Sequence, residues 1–160
     1  MRAEAIHVAA APAAGAPTRT RQKAMSAPHP QVTPFLMFEG NAEEALRFYA
    51  SLFDDAEIER IDRYGPEGPG REGSVFQAAF SLGGQRFLCI DSPMQHAFSF
   101  TPAISLYVTC ASEEELDHRF ARLSEGGEIL MPLGEYPFSR KYGWLQDRFG
   151  VSWQLSLPHG

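Results

Sequence analysis

The chain repeats itself. TPFLMFEGNAEEALRFYASLF (33–53) resembles PAISLYVTCASEEELDHRFARL (102–123), and SLGGQRFLCIDS (81–92) resembles DRFGVSWQLSLP (147–158). An internal repeat constrains the fold strongly, because each copy must bury its apolar surface against the other. In the first pair a short apolar strand runs into a capped helix. Asn41 with Glu44, and Ser112 with Glu115, have capping-box spacing. Ala45, Tyr49, Leu52 and Phe53 then recur at helical spacing, as do Leu116, Phe120 and Leu123. In the second pair a glycine-containing hairpin turn leads into a strand, which aligns Gly84 with Gly150, Phe87 with Trp153 and Leu88 with Gln154. Strand-like runs lie between helix and turn, at 55–64 and 73–82 in the first copy and at the shorter 128–131 and 141–147 in the second. Each copy therefore reads strand, helix, strand, strand, strand. One face of such a sheet takes the helix, and the other needs a partner, which the second copy supplies. The predicted class is α+β: two tandem βαβββ modules, about 31–93 and 102–158, forming one domain over 31–158 with a curved mixed sheet around a cavity.

Alternation assigns the faces of the strands. Over 103–110, Ile104, Leu106, Val108 and Cys110 share one face, opposite Ala103, Ser105, Tyr107 and Thr109. Over 151–157, Val151, Trp153, Leu155 and Leu157 oppose Ser152, Gln154 and Ser156. Over 33–38, Pro34, Leu36 and Phe38 oppose Thr33, Phe35 and Met37. The apolar faces should meet the helices. The mixed faces should line the cavity, and apolar walls with a few polar groups suit a small molecule. The expected ligand-binding residues are Phe35, Met37, Leu88, Ser105, Tyr107, Trp144 and Gln154, with Trp144 able to stack on a ligand.

Charge narrows the partners. Of the net −6, residues 1–30 contribute +3 through Arg2, Arg19, Arg21 and Lys23 against Glu4, so residues 31–160 carry −9. An acidic body without a basic stripe argues against nucleic acid and against anionic membrane surfaces. No apolar run approaches the roughly 18 residues of a membrane span. Apolar content of 44% and charged content of 21% are ordinary for a globular chain with a sizeable core. Cys89 and Cys110 lie in apolar strand-like runs and read as buried reduced thiols, consistent with a cytoplasmic protein. Residues 1–30, rich in Ala and Pro and without periodicity, read as a disordered extension. Met25 stands just before the organised region and reads as an alternative translation start.

Several motifs have structural explanations. RYGPEGPGREGS (63–74) is glycine-rich, but a strand rather than a helix follows, so a long hairpin loop is expected instead of a phosphate cradle; such a loop can also act as a lid. Glu43–Glu44 and Glu113–Glu115 fall in first helical turns, where negative charge complements the helix dipole. The linker 92–103 contains His96, Phe98 and Phe100, which can close one end of the cavity. No Ser–His–Asp arrangement is present, and no GxGxxG follows a strand and opens a helix.

Taken together, TPFLMFEGNAEEALRFY, RYGPEGPGREGSV, AISLYV and YGWLQDRFGVSWQ resemble the PhnB-like family, often labelled 3-demethylubiquinone-9 3-methyltransferase, of the vicinal-oxygen-chelate or glyoxalase and bleomycin-resistance superfamily. The resemblance covers about 32–157. It implies a concave sheet wrapping a ligand pocket and, commonly, a homodimer. In metal-dependent relatives, one residue on the first and one on the last strand of each module bind a divalent ion. Carried across, these positions fall near Thr33, on Leu88, on Ala103 or Ser105, and on Gln154. Leu and Ala offer no side-chain donor, and a neutral amide is a poor substitute for a carboxylate. His7 and His29 lie in the extension, His159 by the terminus and His118 on a helix, so no histidine cage can form. No metal and no cofactor is expected, which leaves Gln154 to bind an organic ligand or sustain an internal polar network. The functional expectation is metal-independent binding of a small organic ligand. The alternative is an enzyme on this scaffold, a lyase, isomerase or methyltransferase, with or without a metal, and with His96 as its acid or base.

Overall fold

The computed structural model describes residues 31–160. The extension and the Met25 start lie outside the described residues. The first module runs β1 (Phe35–Phe38), α1 (Ala42–Ala50), β2 (Glu57–Arg63), β3 (Val75–Leu82) and β4 (Gln85–Asp91). The second runs β5 (Leu106–Thr109), α2 (Glu113–Ser124), β6 (Glu128–Tyr136), β7 (Ser139–Gln146) and β8 (Ser152–Leu157). The strand orders match, β1-β4-β3-β2 and β5-β8-β7-β6. In each module the first and last strands pair parallel and the other pairs are antiparallel. The α+β class and the tandem βαβββ modules are as expected. The sheets are two separate four-stranded units, however, and do not close into one continuous curved sheet.

Register makes the repeat concrete: Phe35 stands opposite Leu88, and Tyr107 stands opposite Gln154. The apolar faces meet the helices as alternation requires. Helix α1 buries Ala42, Ala45, Leu46, Phe48 and Tyr49, and α2 buries Leu116, Phe120 and Leu123. Gly143 lets α2 approach β7 closely, since a Cβ there would run into the ring of Phe120. Trp153 on β8, 1% exposed, packs edge-on to Tyr49 with ring centroids 5.1 Å apart. The first module's helix thus shares its core with the second module's last strand. Cys89 and Cys110 are both buried free thiols, and burial pushes the Cys89 thiol up to about 12.

Three local expectations are corrected. First, Asn41 makes no capping bond. Asp91 at the end of β4 does the work instead: its Oδ1 accepts from the Gly40 and Ala42 backbone N–H groups at 2.8 and 2.9 Å, and its Oδ2 from Val75 N–H at 3.0 Å. Parallel pairing sets Asp91 opposite Phe38, directly below the helix start, so a buried carboxylate outcompetes the local side chain. Ser112 does cap α2, accepting from Glu115 N–H at 3.2 Å, while the Glu115 carboxylate reaches back to Ala111 N–H at 2.7 Å. Second, the strand expected at 103–110 begins at Leu106, and Ile104 is 74% exposed. Pro102 starts a turn in which Ile104 N–H donates to Thr101 C=O, which delays the strand. Third, β6 and β7 are not short; they span nine and eight residues. Pro132 and Gly134 obscured the alternation of β6, an edge strand with several register shifts where a proline is tolerated.

Asp147 ties the modules together. It opens the tight turn into β8, closed by Gly150 N–H to Asp147 C=O at 2.9 Å, with Gly150 at φ +87°. Its Oδ1 accepts from Phe149 and Val151 N–H at 2.8 and 3.0 Å. Its Oδ2 accepts from the Tyr49 hydroxyl at 2.7 Å and the Trp153 indole N–H at 2.8 Å. The residue is 4% exposed, and burial raises its carboxyl above the ordinary value. Hydrogen bonds to a charged group each contribute more than neutral ones. Tyr49→Phe is expected to lower the unfolding free energy by about 1.5–3 kcal/mol and Asp147→Ala by more, measured by urea denaturation. The double variant should lose less than the sum of the two, since both remove one bond; strictly additive losses would show that the bond does not couple the modules.

Glu43 fastens α1 to β2, meeting Arg47 at 2.8 Å and Arg63 at 2.6 Å. The Arg63 guanidinium, then that of Arg47, holds its carboxyl down at about 2 against an ordinary 4.5. A depressed carboxyl stabilises the fold above its unfolded value and loses that contribution as pH falls through the folded value. Stability should therefore drop between pH 4.5 and about 2, and Glu43→Gln should flatten the thermal-melt profile in that window. An unchanged slope would show that the pair is fully screened by solvent.

Candidate functional site

The face of the second sheet opposite its helix carries a polar network. Tyr107, Gln154 and Trp144 stand side by side on β5, β8 and β7. Gln154 is its hub: Oε1 accepts from the Tyr142 hydroxyl at 2.8 Å, and Nε2 donates to Ser105 Oγ at 3.1 Å. Ser105 Oγ lies 2.7 Å from Ser152 Oγ, which accepts the Trp144 indole N–H at 2.9 Å. Ser152 is 2% exposed, whereas Gln154 and Trp144 are half-buried. The Trp144 indole N–H is donor-only, and the Ser105, Tyr142 and Ser152 hydroxyls each have a partner within the network. The network leaves the Gln154 amide one donor and one acceptor position beyond its protein partners. Burial, then the nearby Tyr107 and Tyr136 phenols, raises the Tyr142 hydroxyl above its ordinary value, so it stays a donor near neutral pH.

Four expected residues thus come together: Ser105, Tyr107, Trp144 and Gln154. Phe35, Met37 and Leu88 do not join them; they lie on the equivalent strands of the first module, with Phe35 half exposed. Two clefts flank these strands. One of about 630 Å³ runs along the outer edge of β5, past Ser105 and Tyr107, to Phe87 and Arg119. One of about 330 Å³ lies between β1 and the linker and takes in Phe35 and Met37. The glycine-rich hairpin lines neither cleft, and Tyr64 folds against Gly70 at its base. His96 shares no bond with the Gln154 network. Its Nε2 is 2.8 Å from Ser92 Oγ, and its backbone N–H donates to Glu39 at 2.9 Å. Alternation placed Ser152 on the Gln154 face without marking it as a binding residue, and Tyr142 was not assigned to that face. Tyr142 lies two residues before Trp144 and Ser152 two before Gln154, so period-two alternation was the available signal.

The positions that hold a metal in relatives do not fit one here. Leu88 brings no donor, while Ser105 and Gln154 already bond each other. Among the described residues, no three or more His, Cys, Asp or Glu side chains are grouped to hold an ion.

Known proteins agree on the lineage. The family model described as 3-demethylubiquinone-9 3-methyltransferase matches residues 30–156. The PhnB protein of Bacillus cereus is 62% identical, with 80% of this chain and 99% of that one covered at a TM-score of 0.78. Protein PA1353 of Pseudomonas aeruginosa is 26% identical, with coverage of 82% and 100% and a TM-score of 0.73. The fosfomycin resistance protein FosX of Listeria monocytogenes, solved with Mn(II) and sulfate, is 13% identical, with coverage of 81% and 90% and a TM-score of 0.54; it shares the fold alone. No curated protein matches the chain. The chain belongs to the 3-demethylubiquinone-9 3-methyltransferase family, a PhnB-like lineage of the glyoxalase and bleomycin-resistance fold.

Proposed function

We propose that the chain binds a small, uncharged, partly aromatic molecule on the inner face of the second sheet, without a metal ion, to sequester or sense it. One observation carries this reading. The first module places Leu88 and Phe35 where the second places Gln154 and Tyr107. The same fold is therefore built with an apolar pair, so the polar network is not needed to form a module. Fixed amide and hydroxyl groups among aromatic walls are what a binding surface uses to orient a neutral ligand. The lack of an acid or base in the network favours binding over turnover. The methyltransferase of the family's name finds no Rossmann-type cofactor loop in this sequence. A homodimer belongs to the same reading, supported by the outer edge of β5, which pairs with no strand among the described residues, beside the exposed Ile104.

A thermal-shift screen against quinones, aromatic antibiotics and S-adenosylmethionine tests it, since a ligand of the native state raises its stability by mass action. A neutral aromatic is the expected hit, and Gln154→Leu should weaken it by about tenfold. That variant copies the first module, so it should still fold, at a cost of about 1–3 kcal/mol for the unpaired Tyr142 and Ser105 groups. A hit whose affinity survives both Gln154→Leu and Trp144→Leu would place the ligand elsewhere.

A further inference from the structure

The cleft between β1 and the inter-module linker has a composition unlike the rest of the surface. Five of the chain's 12 phenylalanines line it. Phe35 is 50% and Phe98 64% exposed; the His96 imidazole covers one face of the Phe98 ring at 4.8 Å and leaves the rest of the ring accessible. Phe100 packs edge-on to Phe38 at 5.1 Å and fixes the linker over β1. The one ionisable side chain in the lining is Glu39, and no Lys or Arg lines it. Glu39 Oε1 accepts the His96 backbone N–H at 2.9 Å, which orients the carboxylate, while Oε2 has no protein partner among the described residues. The Asn41 side chain, which makes no capping bond, also lines the cleft.

The adjoining start of α1 does not make this an anion site. The Asp91 carboxylate already accepts from the Ala42 N–H at its start and from the Gly40 N–H just before it, and Glu43 and Glu44 add negative charge in the first turn. Residues 31–160 carry −9 overall. Ring faces carry negative quadrupole potential, and Phe149 in the same lining already takes the Arg148 guanidinium at 4.7 Å.

We infer that this cleft binds an organic ammonium: a cationic nitrogen set against Glu39 and the faces of Phe35 and Phe98, with an apolar body on Met37. The cleft's volume of about 330 Å³ admits a compact amine. It shares no residue with the Gln154 network, so the two sites stand or fall separately.

Choline and its neutral isostere 3,3-dimethylbutan-1-ol differ in little but charge. Both are titrated into the full chain at constant ionic strength and followed by amide chemical shifts. Choline is expected to shift residues 35–41 and 98–100, with the isostere about tenfold weaker. Glu39→Gln keeps an acceptor for His96 N–H but loses the charge; it should weaken choline about tenfold and leave the isostere unchanged. Phe98→Leu, on an exposed position, should weaken choline while preserving the rest of the spectrum. Equal binding of the two probes, choline binding indifferent to Glu39→Gln, shifts confined to other residues, or no response up to about 20 mM choline would each overturn the assignment.

Discussion

A carboxylate shared between modules organises this molecule. Asp147 closes the turn into β8 with one oxygen and holds Tyr49 of α1 and Trp153 of β8 with the other. A buried charge is costly unless its lone pairs are filled. Here two backbone N–H groups, a phenol and an indole fill them. The consequence is positional. With Val151 N–H and Trp153 both fixed, the face of β8 is fixed too, and Ser152 and Gln154 must point away from the helices. The polar network therefore inherits its geometry from a bond made on the opposite side of the strand.

Duplication supplies the control experiment that a single module would lack. Both modules use parallel first-to-last pairing, an amphipathic helix and a glycine turn. They differ in how their ends are tied. Asp91 fills the start of α1 from below, whereas α2 relies on its own Ser112 and Glu115. They also differ in what the face opposite the helix offers, apolar in the first module at Phe35 and Leu88 and polar in the second at Tyr107 and Gln154. Shared features are those the fold requires, and the differences are where the proposed binding chemistry resides.

Much of this was legible in the sequence, and the remainder has identifiable causes. The two halves, the helix faces and the pairing of Leu88 with Gln154 in the alignment follow from period and turn chemistry, which are local. Hydrogen bonds between Asp91 and Ala42, or Tyr49 and Asp147, span 49 and 98 positions and leave no local trace. Asn41 fitted a capping pattern that a distant carboxylate had already satisfied. Pro102 was in plain sight, but the alternation of Ile104 with Leu106 suggested an earlier strand start than the turn allows. In β6, Pro132 and Gly134 hid a nine-residue strand. At the site, Gln154 was recognisable from the turn glycine and Ser105 from alternation, whereas Tyr142 and the bonds that join all three emerge only once cross-strand register is known.

The Gln154 face of the second sheet is proposed to recognise its ligand through hydrogen-bonding groups, without an ion. Elemental analysis of the purified chain, expressed in medium supplied with zinc, nickel, manganese and iron, addresses it most directly. Substoichiometric metal, unaltered by Gln154→Ala, is the predicted result. One equivalent of a transition metal that disappears with Gln154→Ala would contradict it.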